Sequence, residues 1–112
     1  MIARTWHGRV PLSRADAYES YIHRTGITDI LATPGNQGVL LTRRDEGDVT
    51  HFNLTSLWES TEAIRRFAGD DYARARYYDE DDDYLLEREP HVTHSDVLSA
   101  TISAVPTDAA PR

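Results

Sequence analysis

Residues 57–69 read LWESTEAIRRFAG, and the hydrophobic period changes in mid-course. Upstream, in VTHFNLTSLW (49–58), Phe52, Leu54, Ser56 and Trp58 fall on one face of a strand, while His51, Asn53, Thr55 and Leu57 fall on the other. Downstream, Ala63, Ile64, Phe67 and Ala68 recur at helical spacing, with Ser60 or Thr61 placed to cap the helix and Gly69 to end it. A strand therefore runs straight into a helix, with the indole of Trp58 at the joint.

The rest of the chain orders itself around that joint. VLLTRR (39–44) is a second β-rich run, and the short glycine-containing DEGD (45–48) between it and 49–58 is a hairpin connection, so the two strands pair antiparallel. Ile2 to Val10 reads as a first strand ended by Pro11. Ser13 and Asp16 open a first helix through Ala15, Tyr18, Tyr21 and Ile22, and Gly26 is expected to stop it. After Gly69, Asp70 or Asp71 can cap another turn or two over YARARYY, followed by an acidic loop expected to be solvated and mobile. HVTHSDVL (91–98) opens a fourth strand after Pro90. The order β-α-β-β-α-β predicts an α+β, ferredoxin-like domain over 1–98, a four-stranded antiparallel sheet with both helices on one face, and a flexible tail over 99–112. The second sheet face is neither fully apolar nor fully polar, and a chain this short has no element left to cover it. A homodimer joined through that face is the expected solution.

Composition excludes several functions. The chain has 112 residues, a formal net charge of −7 and no cysteine. Acidic balance disfavours a phosphate-bound partner, so nucleic acid is not expected. No thiolate nucleophile or cysteine-ligated metal is possible. The absence of cysteine points to the cytoplasm, and MIARTWHGRV, with no signal or membrane-spanning run, points to a soluble protein without a membrane partner.

With this order, the Trp-Glu-Ser joint of LWESTEAIRRFAG resembles the antibiotic biosynthesis monooxygenase family, whose fold is the dimeric α+β barrel; the similarity of pattern spans about residues 2 to 98. The resemblance implies a cofactor-independent, monooxygenase-like enzyme for an aromatic or polyketide-type small molecule in secondary metabolism, with a pocket between sheet and helices. Quinone-forming members place an Asn four residues before the Trp; here that position is Leu54, and Asn53 beside it faces the opposite way. Haem-degrading members place an Asn, a Trp and a haem-ligating His at positions that look like His7, Phe67 and Tyr77. All three differ, so that route is not expected, although a Tyr can ligate ferric haem.

The residues that would carry chemistry follow. Trp58, Phe67 and Tyr72 offer aromatic surface for substrate, and Trp58 could equally be a core residue closing the corner. His7 or His94 would take a proton from a phenol or carbon acid, and Tyr77 would donate to the anion formed. Arg4 would bind an anionic group or pair with Glu59, Glu87 or Glu89. His91 and His94, an odd distance apart on a strand, do not share a metal, and His51 belongs to the subunit interface. A cyclase, isomerase or lyase would use the same base, and a non-catalytic small-molecule-binding dimer is the remaining alternative.

Overall fold

The computed structural model describes residues 1–103. Four strands, β1 (Ile2–Pro11), β2 (Asn36–Glu46), β3 (Val49–Trp58) and β4 (Thr93–Asp96), make one antiparallel sheet in the order β2-β3-β1-β4. The helices α1 (Ala15–Ile22), α2 (Thr28–Ala32) and α3 (Thr61–Ala68) share one buried cluster with Phe52, Leu54 and Trp58, and so lie on a single face of the sheet. This is the α+β ferredoxin-like arrangement expected from the element order. Most of the tail predicted to be flexible, from residue 104 on, lies outside the described residues.

Register decides which side chains meet. Across β1 and β3, Arg4 pairs with Ser56, Trp6 with Leu54 and Gly8 with Phe52; between them, Thr5 pairs with Thr55 and His7 with Asn53. Paired residues point to the same side, so the even positions of β1 join the helix-facing side and the odd positions the open side. Gly8 belongs to this plan: a Cβ there would sit 2.3 Å from the Trp6 ring, so only glycine lets that indole lie along its own strand.

Three local expectations are corrected. Gly26 does not end the first helix; α1 continues through a π turn, His23–Ile27, into α2. A helical glycine costs about 1 kcal/mol relative to alanine, whereas burying Ile27 and Ile30 returns about 1.5–3 kcal/mol each, and the hydroxyl of Thr25 ties back to the Tyr21 carbonyl. YARARYY forms no helix. Its backbone instead pairs with the segment before β4, Ala75 N–H donating to Pro90 O and Val92 N–H to Ala73 O, so tertiary pairing overrides local propensity. The acidic run is a 3-10 turn, Asp79–Asp83, rather than a wholly solvated loop, because Asp81 is pulled inside. The corner itself forms as the sequence dictates: Ser60 Oγ accepts from Ala63 N–H at 3.1 Å, and Gly69 ends α3 at a φ of 85°.

Candidate active site

A hollow lies between the sheet and the helical layer. Its free volume is about 50 Å³, enough for a few waters, so a larger ligand must move the rings at its rim. Trp6 and Leu54 from the sheet, Tyr18 from α1, Phe67 from α3, and Tyr77 and Tyr78 from the segment after it are among the residues of its wall. The π turn contributes Thr25 and Gly26, which places the irregular stretch of the helix at the cavity.

Two charged side chains on that wall are almost sealed from solvent, Arg4 and Asp81, each 4 % exposed. Arg4 rises from the central strand beneath the Phe67 ring, 5.9 Å from its centroid. The carboxylate partner expected among Glu59, Glu87 and Glu89 is not there. Arg4 instead donates to the carbonyls of Tyr72 and Arg74 and approaches His94 Nε2 at 3.1 Å. Guanidinium only donates, so His94 accepts at Nε2 and is neutral; burial first, then the Arg4 charge, hold its pKa below the ordinary histidine value. His94 and Tyr72 do not reach the hollow. They line a second depression with Ile2, Thr61 and Ile64, and the Arg4–His94 contact joins the two.

Trp58 answers for the corner rather than for the cavity. It is fully buried, packs on Phe67 with centroids 5.9 Å apart, and donates its indole N–H to Ser56 Oγ at 2.8 Å. Ser56 and Phe67 form wall; Trp58 stands behind them. His7 is on the other side of the sheet altogether. Its Nδ1 meets Glu89 Oε2 at 2.7 Å and its Nε2 meets His51 Nδ1 at 2.9 Å. The expectation that Trp58 and His7 share one hollow fails on strand parity: residue 7 is odd on β1, and its partner Asn53 is on the face opposite Leu54.

Tyr77 reaches the wall, but its hydroxyl is committed, donating to Glu89 O at 2.6 Å and accepting from Trp6 Nε1 at 3.2 Å. It braces Trp6 rather than offering a free proton. Asp81 was not among the expected site residues. Its Oδ2 accepts from Tyr78 N–H at 2.6 Å and its Oδ1 from the Tyr18 hydroxyl at 3.2 Å. Burial outweighs those two bonds and raises its pKa above the usual carboxylate range. A signal was present: Tyr78, Asp81 and Tyr84 recur every third residue, the spacing that eclipses side chains on a 3-10 turn.

Comparison of the fold with solved structures gives the same architecture. MhuD from Mycobacterium tuberculosis, a heme-degrader with two hemes bound in its active site, superposes with a TM-score of 0.60 at 18 % identity, covering 90 % of this chain and 99 % of that one. A mutant of MhuD with two manganese protoporphyrin IX bound per active site gives 0.61 at 18 % identity, with 92 % and 100 % covered. A candidate antibiotic biosynthesis monooxygenase from Bacillus cereus gives 0.55 at 14 % identity, with 95 % and 98 % covered. No family model matches the chain, and no curated protein matches it. The likeness read from the Trp-Glu-Ser joint is thus met at the level of the fold.

Proposed function

We propose that this chain is a small, monooxygenase-like enzyme that oxidises an aromatic small molecule without a bound cofactor, in the hollow between sheet and helices. The observation that carries the reading is a cavity walled by aromatic rings with one buried carboxyl group, Asp81, on its surface. Rings present a flat apolar surface to a planar substrate. A carboxylate disfavoured by burial is a stronger base than one in water, and so a better acceptor for a phenol or activated C–H proton. Once the substrate has given its proton to Asp81, the electron-rich carbanion or phenolate reduces dioxygen. One oxygen atom enters the substrate carbon as a carbonyl, and the other leaves as water with two substrate hydrogens, both from that carbon in an anthrone, or one from it and one from the hydroxyl in a phenol. Asp81 takes the place that sequence had given to His7 and His94.

A haem substrate finds less support in the residues present. Among the described residues no histidine lines the hollow, and the Tyr77 and Tyr78 hydroxyls are held by Glu89 and Asp29. Cyclisation, isomerisation and elimination begin with the same proton transfer, so the test must see oxygen. Oxygen uptake with a panel of hydroxylated naphthalenes and anthrones is expected, at one O₂ per substrate. Conversion of substrate without uptake would instead assign a cyclase or lyase.

The same proposal includes a homodimer through the open sheet face, where Leu40 is 62 % exposed beside Leu57 and the threonines of β1 and β3. Solution scattering is expected to return twice the 12.7 kDa of one chain.

A further inference from the structure

We propose that the ligand of the hollow carries an anionic oxygen and that Arg4 is its seat, a conclusion that rests on the hollow being a small-molecule site. Burying a charge without a counter-charge is unfavourable. Other arginines of this chain avoid it: Arg43, whose side chain is 11 % exposed, is held by Asp16 at 2.6 Å and Asp45 at 3.1 Å, and Arg76 at the same hollow faces Asp29 at 3.4 Å. Arg4 is more deeply buried than either, and among the described residues no carboxylate reaches it.

The donor count points the same way. A guanidinium has five N–H groups. Three are spent, on Tyr72 O, Arg74 O and His94 Nε2, which leaves Nε–H and one N–H of Nη2. Two unspent donors on a guanidinium that lines an aromatic cavity suit an anionic oxygen group, which only accepts. Neutral acceptors fix the guanidinium in place without cancelling its charge, so the site is held ready and unneutralised. The chain as a whole bears −7 and repels anions, so Arg4 selects an anion already inside the hollow and does not steer one from solution. The ligand class is an aromatic carboxylate or an aryl oxide, since both offer the same oxygen to the same fork.

Three probes of one size separate the cases: 2-naphthoate, 2-naphthol and the neutral 2-naphthamide, titrated against the full chain by quenching of tryptophan fluorescence, with calorimetry as a check. Hydrogen bonds to a charged group imply roughly a 10- to 100-fold preference for naphthoate over naphthamide. That preference should vanish in Arg4→Gln, which keeps a donor for the carbonyls and loses the charge, and survive in part in Arg4→Lys; melting curves establish that both variants fold. An absorbance band of naphtholate on bound naphthol would locate the anion in the reaction, and a preference for naphthoate would locate it in the substrate; each supports the assignment if it depends on Arg4. Equal binding of naphthoate and naphthamide, an anion preference that persists in folded Arg4→Gln, or no binding of any probe overturns it. Oxygen uptake is scored separately. Naphthoate binding lost in Arg4→Gln, with no uptake from any hydroxylated naphthalene, removes the oxygenase and leaves the anion site. Uptake from a neutral polyphenol undiminished in Arg4→Gln does the reverse.

Discussion

On the helix-facing side of the sheet, Arg4, Trp6, Leu54 and Ser56 stand under aromatic rings at the wall of a cavity, whereas one residue along on the same strands Thr5, His7, Asn53 and Thr55 face outward. The strands, the pairing and the backbone bonds are shared; only the parity differs. On the closed side a polar group is there because something particular holds it: Ser56 accepts from Trp58, Asp81 from Tyr18 and Tyr78. On the open side polar groups satisfy one another in a line, Glu46 to His51 to His7 to Glu89. Chemistry on an aromatic ligand has the first environment available and not the second, which is why a histidine beside a tryptophan in sequence space lies a whole sheet away from it in the fold.

The contrast is broken most severely through Trp58. Truncating a fully buried indole costs about 3–5 kcal/mol, so Trp58→Ala should lose that much in urea unfolding. Asn53→Ala, across the sheet on the open face, removes a half-buried side chain rather than a sealed one and should cost less. Equal losses would mean that the open face is as tightly packed as the closed one. Catalysis sharpens the comparison next. If Asp81 is the base, Asp81→Asn lowers oxygen uptake by roughly 10²- to 10⁴-fold, while His7→Ala stays within a few-fold of wild type; the opposite ranking would return the chemistry to the open face.

Acidity gives a signed version of the same test. Burial raises the Asp81 pKa, so the base ionises, and uptake climbs, at a pH above the ordinary aspartate value of about 3.9. For stability the sign reverses: a raised carboxyl pKa means the native state holds its proton more tightly, so this contribution is complete below the unfolded value and is lost as pH rises through the folded one. Asp81→Asn should abolish that loss. His94 has the contrary sign. Its pKa is lowered by burial and by Arg4, so its contribution is present above the ordinary histidine value of about 6.5 and is lost as pH falls through the folded value. His94→Gln should flatten that acid limb of the stability curve, and an unchanged limb would show that Arg4 and His94 are not in contact in solution.

Much of this was legible. The change of period at Trp58, the glycine hairpin at 45–48 and the capping Ser60 are local signals, and each acts over a few residues, so order and strand parity could be read directly. Strand parity sets His7 apart on β1 as it sets Asn53 opposite Leu54 on β3, but the face that His7 takes depends on the register between the two strands, fixed by the pairing of Trp6 with Leu54. Nonlocal contacts account for the other differences. Gly26 and YARARYY both obey packing and pairing partners distant in sequence, and Asp81 is drawn out of an acidic run by Tyr18, which lies 63 residues before it. Of the residues singled out for the site, Arg4, Phe67 and Tyr77 reach the hollow; Tyr72 and His94 line the neighbouring depression; Trp58 backs the wall and His7 lies across the sheet.

The smallest effect concerns the line of four groups on the open face. Ionised carboxylates only accept, so His7 Nδ1 and His51 Nε2 must each carry a proton toward Glu89 and Glu46. The inner bond, Nε2 of His7 to Nδ1 of His51 at 2.9 Å, then needs one proton more, shared by the two rings. The centroids are 5.2 Å apart, which is that gap plus a ring radius on each side, so the two nitrogens face each other along the line of centres. Two lone pairs so aimed would repel; a proton between them binds. Such a bond is worth about 0.5–1.5 kcal/mol, and a double-mutant cycle of His7→Ala and His51→Ala should recover that coupling. A coupling of zero would mean that the two rings touch without a hydrogen bond, and the open face would then lack the line of mutually bonded polar groups that sets it apart from the closed one.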